Sequence, residues 1–310
     1  MKLNTGIAGV VPIVPTPFHE DGRIDETSLD RLIDFFGACG VSGLTLLGQL
    51  GEAPKLEPRE AMSIVSRVIK RTRLPVIVGV SSPGFAMMSM LAREAMDVGA
   101  SGVMIAPINT LRTDDQIVGY YRDAVDAIGA DIPFVLQDYP LLFSVVMTPD
   151  VIRRIVSEHA SCKAIKHEEW PGLEKISALR RLQREGGMRE VAILTGNGGL
   201  FLDFEMERGA DGANTGYAFP EMLVDIVRYS NAGQRDAAHD LFDAHLPLLR
   251  YEHQMGALGL AVRKFVFKRR GLLASDAQRK PGLKLSAQAQ AEVDYLLSRV
   301  ARVDKRAMLD

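Results

Sequence analysis

The chain has 310 residues, 47% hydrophobic and 25% charged, the balance of an ordinary globular protein. A net charge of −2 leaves no electrostatic case for nucleic acid or an anionic membrane as a partner, and no apolar run is long enough to span a bilayer. Residues 1–10 show no apolar leader core; the two cysteines, Cys39 and Cys162, make no disulfide framework and read as small core residues in a reducing, cytoplasmic setting.

One pattern repeats along the chain: a short apolar run, a turn carrying Gly or Pro, then a helix. The runs are 9–14, 43–47, 75–80, 102–106, 133–136, 163–166, 191–194 and 212–215. Between them, 26–39 places Leu29, Leu32, Ile33 and Phe36 at helical spacing, and 57–71 does the same with Met62, Val65, Val68 and Ile69. Segments 149–157, 173–184 and 222–229 are alike. Strand–helix alternation implies parallel strands with right-handed crossovers, and eight units imply an α/β fold of the closed (β/α)8 TIM-barrel type. A doubly wound sheet would call for a Gly-rich fingerprint after the first strand, where residues 10–17 offer none. The barrel is expected over residues 1–231. Helices at 234–249, 256–270 and 287–300 then form a C-terminal helical extension, residues 232–310, packed on the barrel.

In such a barrel the site lies at the C-terminal strand ends, and side chains alternate in and out. Lys166 ends the sixth strand and shares the inward face with Ala164 and Glu168. An amine held partly out of water loses some preference for its charged form, and a neutral lysine amine can form a Schiff base with a 2-keto acid. From these residues alone, a lysine snorkelling to solvent is the competing reading. Gln137 is inward on the fifth strand and Asn214 on the eighth, whereas His167 points out toward the helices. After the second strand, Gly48-Gln49-Leu50-Gly51-Glu52 is either an anion-binding turn, with the Gln49 and Leu50 amides aimed at a carboxylate, or a plain strand-to-helix turn. Glu52 reads as a cap on that turn.

Together these features resemble one family. The Gly-x-x-Gly-Glu turn, Lys166 and Val14-Pro15-Thr16-Pro17-Phe18, with Gly79, Ala106-Pro107, Gly196-Asn197 and the C-terminal helices, are similar to the dihydrodipicolinate synthase and N-acetylneuraminate lyase family of class I aldolases and dehydratases. The resemblance implies that Lys166 forms the Schiff base with pyruvate or another 2-keto acid, and that the turn amides, from Gly48 through Leu50, bind its carboxylate. It also implies a homotetramer or homodimer and no cofactor. No His/Glu cluster with metal-ligand spacing is present, so no metal is expected.

The chain departs from the synthase pattern. Gln49 and Leu50 stand where two threonines are usual, Gln137 stands where a proton-relaying tyrosine is usual, and residues 140–143 lack the arginine that grips the aldehyde substrate. A Gln cannot exchange a proton as a phenol does. Tyr139, two residues on, either shares the Gln137 face or is a packed aromatic. Gln137-Asp138, Lys166-His167-Glu168, the stretch Tyr251 to Gln254 and Ser275-Asp276-Ala277 resemble the branch that dehydrates 2-keto-3-deoxy sugar acids such as 2-keto-3-deoxyarabonate. The function expected is a lyase that dehydrates or cleaves such an acid. Catalytic residues are then Lys166, Gln137 and Glu168, the last as a base, a water-holder or an ion-pair partner that positions Lys166. Substrate-binding residues are Gly48, Gln49, Leu50 and Asn214, the last either on the carboxylate or as a satisfied core amide. Two alternatives stay open: condensation of pyruvate with aspartate semialdehyde, and a non-catalytic sugar-acid binding protein.

Overall fold

Strand and helix alternate from the first apolar run to the last. The computed structural model describes residues 2–170, 172–254 and 257–309. In chain order the elements are β1 (Gly9–Val10), α1 (Glu26–Ala38), β2 (Leu44–Leu46), α2 (Pro58–Arg71), β3 (Val76–Gly79), α3 (Phe85–Asp97), β4 (Gly102–Ile105) and α4 (Asp114–Ile128). There follow β5 (Phe134–Asp138), α5 (Pro140–Phe143), α6 (Pro149–Glu158), β6 (Cys162–His167), α7 (Leu173–Arg184), β7 (Ala192–Thr195), α8 (Leu202–Glu207) and β8 (Gly212–Ala213). Helices α9 (Pro220–Asn231), α10 (Arg235–Glu252), α11 (Ala257–Arg269) and α12 (Ala287–Val300) complete the chain. The expected start of the eleventh helix at Gly256 lies outside the described residues.

The strands form one parallel sheet in the order β1-β8-β7-β6-β5-β4-β3-β2. The sheet closes between its two ends: Ser42 N donates to Val10 O at 2.8 Å, Thr45 N to Pro12 O at 2.9 Å and Val14 N to Thr45 O at 2.9 Å. The fold is a (β/α)8 TIM barrel with C-terminal helices. The regular part of β1 is shorter than the apolar run because Pro12 has no N–H to give to the ladder. Pairing still continues past it, from Val11 N to Ala213 O and from Ile13 N to Thr215 O. Helix starts follow local chemistry. Asp25 and Ser286 cap α1 and α12 through their side chains, and Thr113 with Gln116 makes a capping box on α4.

Two apolar layers result from the strand alternation. The outward side chains, among them Phe134, Leu136 and Ile165, pack under the helices, with Tyr121 of α4 stacked on Phe134. The inward ones, including Val11, Ile77, Met104, Val135, Ala164 and Ala192, fill the barrel interior. Along β5 and β6 the inward positions then turn polar: Val135 pairs with Ala164, and two residues on Gln137 pairs with Lys166. The barrel is thus plugged below and chemically equipped above. Among the described residues no helix is long and apolar enough to cross a membrane.

Behind β6 lies a buried carboxyl. Glu205 of α8 is buried facing Thr195 and His167, and its Oε2 has no hydrogen-bond partner. Burial pushes its pKa up to about 7, against the opposing pull of Thr195 and His167. Between its unfolded value and about 7 the folded chain holds a proton that the unfolded chain has released, so stability falls as pH rises through that window. Glu205→Gln removes the titration. Unfolding free energies from urea titrations should therefore match wild type near pH 4 and exceed it at pH 8, by on the order of 3 kcal/mol at full extent. Parallel profiles for the two proteins would refute this.

Candidate active site

A cavity of about 530 Å³ opens at the C-terminal ends of the strands. Lys166 and Glu168 of the β6 end, Gln137 and Tyr139 of the β5 end, and Gln49 and Leu50 after β2 all line it. The strand register brings the first group together, since Gln137 and Lys166 are direct neighbours on β5 and β6. Lys166 Nζ lies 3.1 Å from Glu168 Oε1. The same oxygen accepts from Gln137 Nε2 at 2.7 Å, while Oε2 accepts from Asn197 N at 3.4 Å. All three side chains are buried. A buried cation and a buried carboxylate survive out of water because they are paired and further hydrogen-bonded.

Glu168 is locked from two sides. Asn197, after β7, donates its Nδ2 to the Glu168 carbonyl at 2.8 Å. On the other side lies Gly196, where a Cβ would stand 2.2 Å from Glu168 Cγ. Any side chain there must displace the carboxylate. His167 points outward as the alternation requires. Its Nε2 meets the Gly172 carbonyl at 3.0 Å, and Asp138 beside it binds Lys175 of α7 at 2.9 Å. This outer network fixes the end of β6 from behind.

The 48–52 turn is a single 3₁₀ turn, Gln49–Gly51. The Gln49 and Leu50 amides stand at its start, where a helical turn leaves N–H groups without an internal acceptor. Thr16 holds the turn by donating its hydroxyl to Gly51 O at 2.6 Å. Leu47 and Glu52, on either side, both have φ 56°, a left-handed backbone that costs a non-glycine residue energy. Glu52 was expected to cap this turn. Instead its buried carboxylate accepts from Lys264 Nζ at 2.5 Å, Lys55 Nζ at 2.8 Å and Arg279 N at 3.1 Å. Lys264 and Arg279 also lie over Phe18, each with its cationic centre 4.7 Å from the ring centroid. The early Thr16 and Phe18 motif thus grips the turn and the C-terminal extension at once.

Two expected binding residues are not among those that line the cavity. Asn214 is fully buried, with Oδ1 3.2 Å from Thr45 Oγ1 and Nδ2 unpaired. At Gly48 a Cβ would come 2.9 Å from Ile13 Cγ2, itself a lining residue. Tyr139 does line the cavity; burial and the Glu168 charge push its phenol pKa up, so it stays protonated near neutral pH. The sequence reading did not single out Arg263 of α11, which also lines the cavity. The signal available was the pair Arg263-Lys264, two cations inside the apolar run from Leu260 to Phe267.

The barrel and this paired lysine define a lyase of the class I aldolase type. The chain belongs to the Dihydrodipicolinate synthetase family, whose model matches residues 6–300. It is similar to the L-2-keto-3-deoxyarabonate dehydratase of Azospirillum brasilense, 30% identical over 304 residues that cover 96% of this chain and 94% of the relative. It is also similar to the 4-hydroxy-tetrahydrodipicolinate synthase of Methanothrix thermoacetophila, 30% identical over 245 residues that cover 78% of this chain and 80% of the relative. Among solved structures, the dihydrodipicolinate synthase of Rhodopseudomonas palustris superposes with a TM-score of 0.95 at 64% identity, covering 96% of this chain and 99% of that one.

The contact at Gly196 gives a test of the Glu168 geometry. Gly196→Ala, with folding checked by circular dichroism and a thermal melt, should lower kcat by at least tenfold by pushing the carboxylate off Lys166 and Gln137. A full-rate Gly196→Ala enzyme would mean that the placement of Glu168 is unimportant.

Proposed function

We propose that Lys166 forms a Schiff base with a 2-keto-3-deoxy sugar acid and that the enzyme dehydrates it. The observation that carries this reading is the buried array of Lys166, Glu168 and Gln137 at the base of the cavity. Nζ passes a proton to Glu168 and attacks the C2 carbonyl, Glu168 returns that proton to the departing hydroxyl, which leaves as water, and the protonated imine draws electrons from C3. Glu168, 3.1 Å from Nζ, is within reach of C3, two bonds further on, and takes its proton. The resulting enamine expels the C4 hydroxyl, which departs as water with a proton from the site, and hydrolysis then frees Lys166. Gln137 holds Glu168 in place and cannot itself supply that proton. Tyr139, kept protonated, is the phenol in the cavity able to do so. The Gln49 and Leu50 amides hold the substrate carboxylate. The dehydratase name of the Azospirillum relative, matched over nearly the whole of both chains, supports the substrate class.

Condensation of pyruvate with aspartate semialdehyde is the second reading. The synthase name of the Rhodopseudomonas structure favours it. Gln137 in the usual tyrosine place and the α5 stretch Pro140–Phe143 without an arginine weigh against it. In either reading the enzyme works on free small 2-keto acids, as a cytoplasmic homo-oligomer.

Borohydride reduction in the presence of pyruvate, followed by peptide mass spectrometry, tests the covalent step. Wild type should gain the adduct at Lys166, and Lys166→Ala and Lys166→Arg should gain none, with kcat lowered by several orders of magnitude. An adduct on Lys163, or near-normal turnover by Lys166→Ala, would overturn the assignment. Steady-state rates with a 2-keto-3-deoxypentonate and with pyruvate plus aspartate semialdehyde separate the two readings. A robust condensation rate with no sugar-acid turnover would reverse their order.

A further inference from the structure

The far wall of the cavity is not made by the barrel. After β7 and β8 the chain presents glycines where side chains would otherwise face the cavity, and polar groups from the C-terminal extension occupy those places. A Cβ on Gly198 would stand 2.8 Å from His253 Nδ1, and one on Gly216 would stand 2.3 Å from Arg263 Nη1 and 2.7 Å from Leu50 Cδ1. His253 and Arg263 both line the cavity, together with Lys166.

Arg263 is held at two of its three nitrogens. Nε donates to Glu252 Oε1 at 2.5 Å and Nη2 to the Gly216 carbonyl at 2.5 Å. Nη1 is buried and has no partner. A charged donor left unpaired out of water is costly, and a planar fork fixed at two points aims the third nitrogen rigidly. The residue is only 3% exposed, yet it lines the cavity. His253 differs from it in charge. Burial and the neighbouring Arg263 push its imidazole pKa down to about 4, so near neutral pH the ring is uncharged and has one N–H to give and one lone pair to receive.

We propose that Arg263 and His253 determine which 2-keto acid is accepted, by hydrogen-bonding the hydroxylated chain beyond C3. This rests on the reading of Lys166 as the Schiff-base residue and of a sugar acid as substrate. Leu50 sets the position. Its amide faces the carboxylate, whereas its side-chain end meets Arg263 over Gly216. Arg263 therefore lies at the far end of the Leu50 side chain from that amide, toward the part of the acid beyond C3. Pyruvate has no oxygen to offer there. An arginine donor and a neutral imidazole suit a chain of hydroxyls, each of which both gives and accepts hydrogen bonds. A pocket of this kind rejects an analogue that lacks the hydroxyl, because its own buried polar groups are then left unpaired.

The test compares half-saturation of borohydride trapping by pyruvate and by a 2-keto-3-deoxypentonate. Arg263→Met alone would strand the Glu252 carboxylate, so the variants are Arg263→Lys, the neutral pair Glu252→Gln with Arg263→Met, and His253→Phe; circular dichroism and thermal melts check that each is folded. In wild type the sugar acid should trap at lower concentration than pyruvate. In the variants its half-saturation should rise at least tenfold relative to that of pyruvate in the same variant. If both acids weaken together, Arg263 grips the carboxylate and the proposal is wrong. If wild type prefers the sugar acid and the variants keep that preference, the role of Arg263 and His253 falls while the substrate class stands. If wild type shows no preference although Lys166 is trapped, the substrate class falls, and this proposal with it.

Discussion

Much of this structure depends on one carboxylate. Glu52 sits in a left-handed backbone conformation at the end of the turn after β2, and it is buried. It binds two ammonium groups and one backbone amide, and two of those three donors, Lys264 Nζ and Arg279 N, come from the C-terminal extension. A buried carboxylate persists only where such partners surround it. The same contact sets the turn whose Gln49 and Leu50 line the cavity and anchors α11, the helix that carries Arg263. Both sides of the cavity are thereby fixed to each other, although more than two hundred residues separate Glu52 from Lys264. Phe18, lying under Lys264 and Arg279, gives that anchor an apolar and polarizable base.

The barrel was legible in the sequence because its physics is local and repeats. Each strand must bury both faces, so it reads as a short apolar run, and each helix must bury one, so its apolar residues recur at helical spacing. Gly and Pro mark the turns between. The end of β6 was legible for the same reason: alternation alone places Ala164, Lys166 and Glu168 on one face, and His167 on the other, against α7. Alternation gives the side of a sheet but not the height along the barrel axis. Asn214 is fully buried beside Thr45 and is not among the residues that line the cavity.

What the sequence did not disclose depends on contacts between distant segments. Glu52 looks from its neighbours like a turn cap; only the fold reveals Lys264 across from it. Arg263 looks like an ordinary basic residue on a helix, and its free nitrogen is visible only once Glu252 and the Gly216 carbonyl have taken the other two. Gly196, Gly198 and Gly216 look like loop glycines. Their purpose becomes apparent when Glu168, His253 and Arg263 are found in the volume that a side chain would have filled.

The backbone around the cavity carries one more consequence. Among the described residues the non-glycine positions with positive φ are Leu47, Glu52, Ser144 and Asn197. Leu47 and Glu52 flank the turn that faces the cavity, Asn197 supports Glu168, and Ser144 ends α5 just after Leu142, which lines the cavity. Each such conformation costs on the order of 1–3 kcal/mol. The molecule thus keeps its conformational debt at the rim of the reaction chamber and its close packing in the barrel beneath. Substitutions that relax the rim, such as glycine at Leu47, trade backbone strain for a chain that is freer when unfolded and a chamber that is less firmly shaped. Tolerance to heat and sharpness of the site are therefore coupled at these few positions, and selection for one is felt by the other.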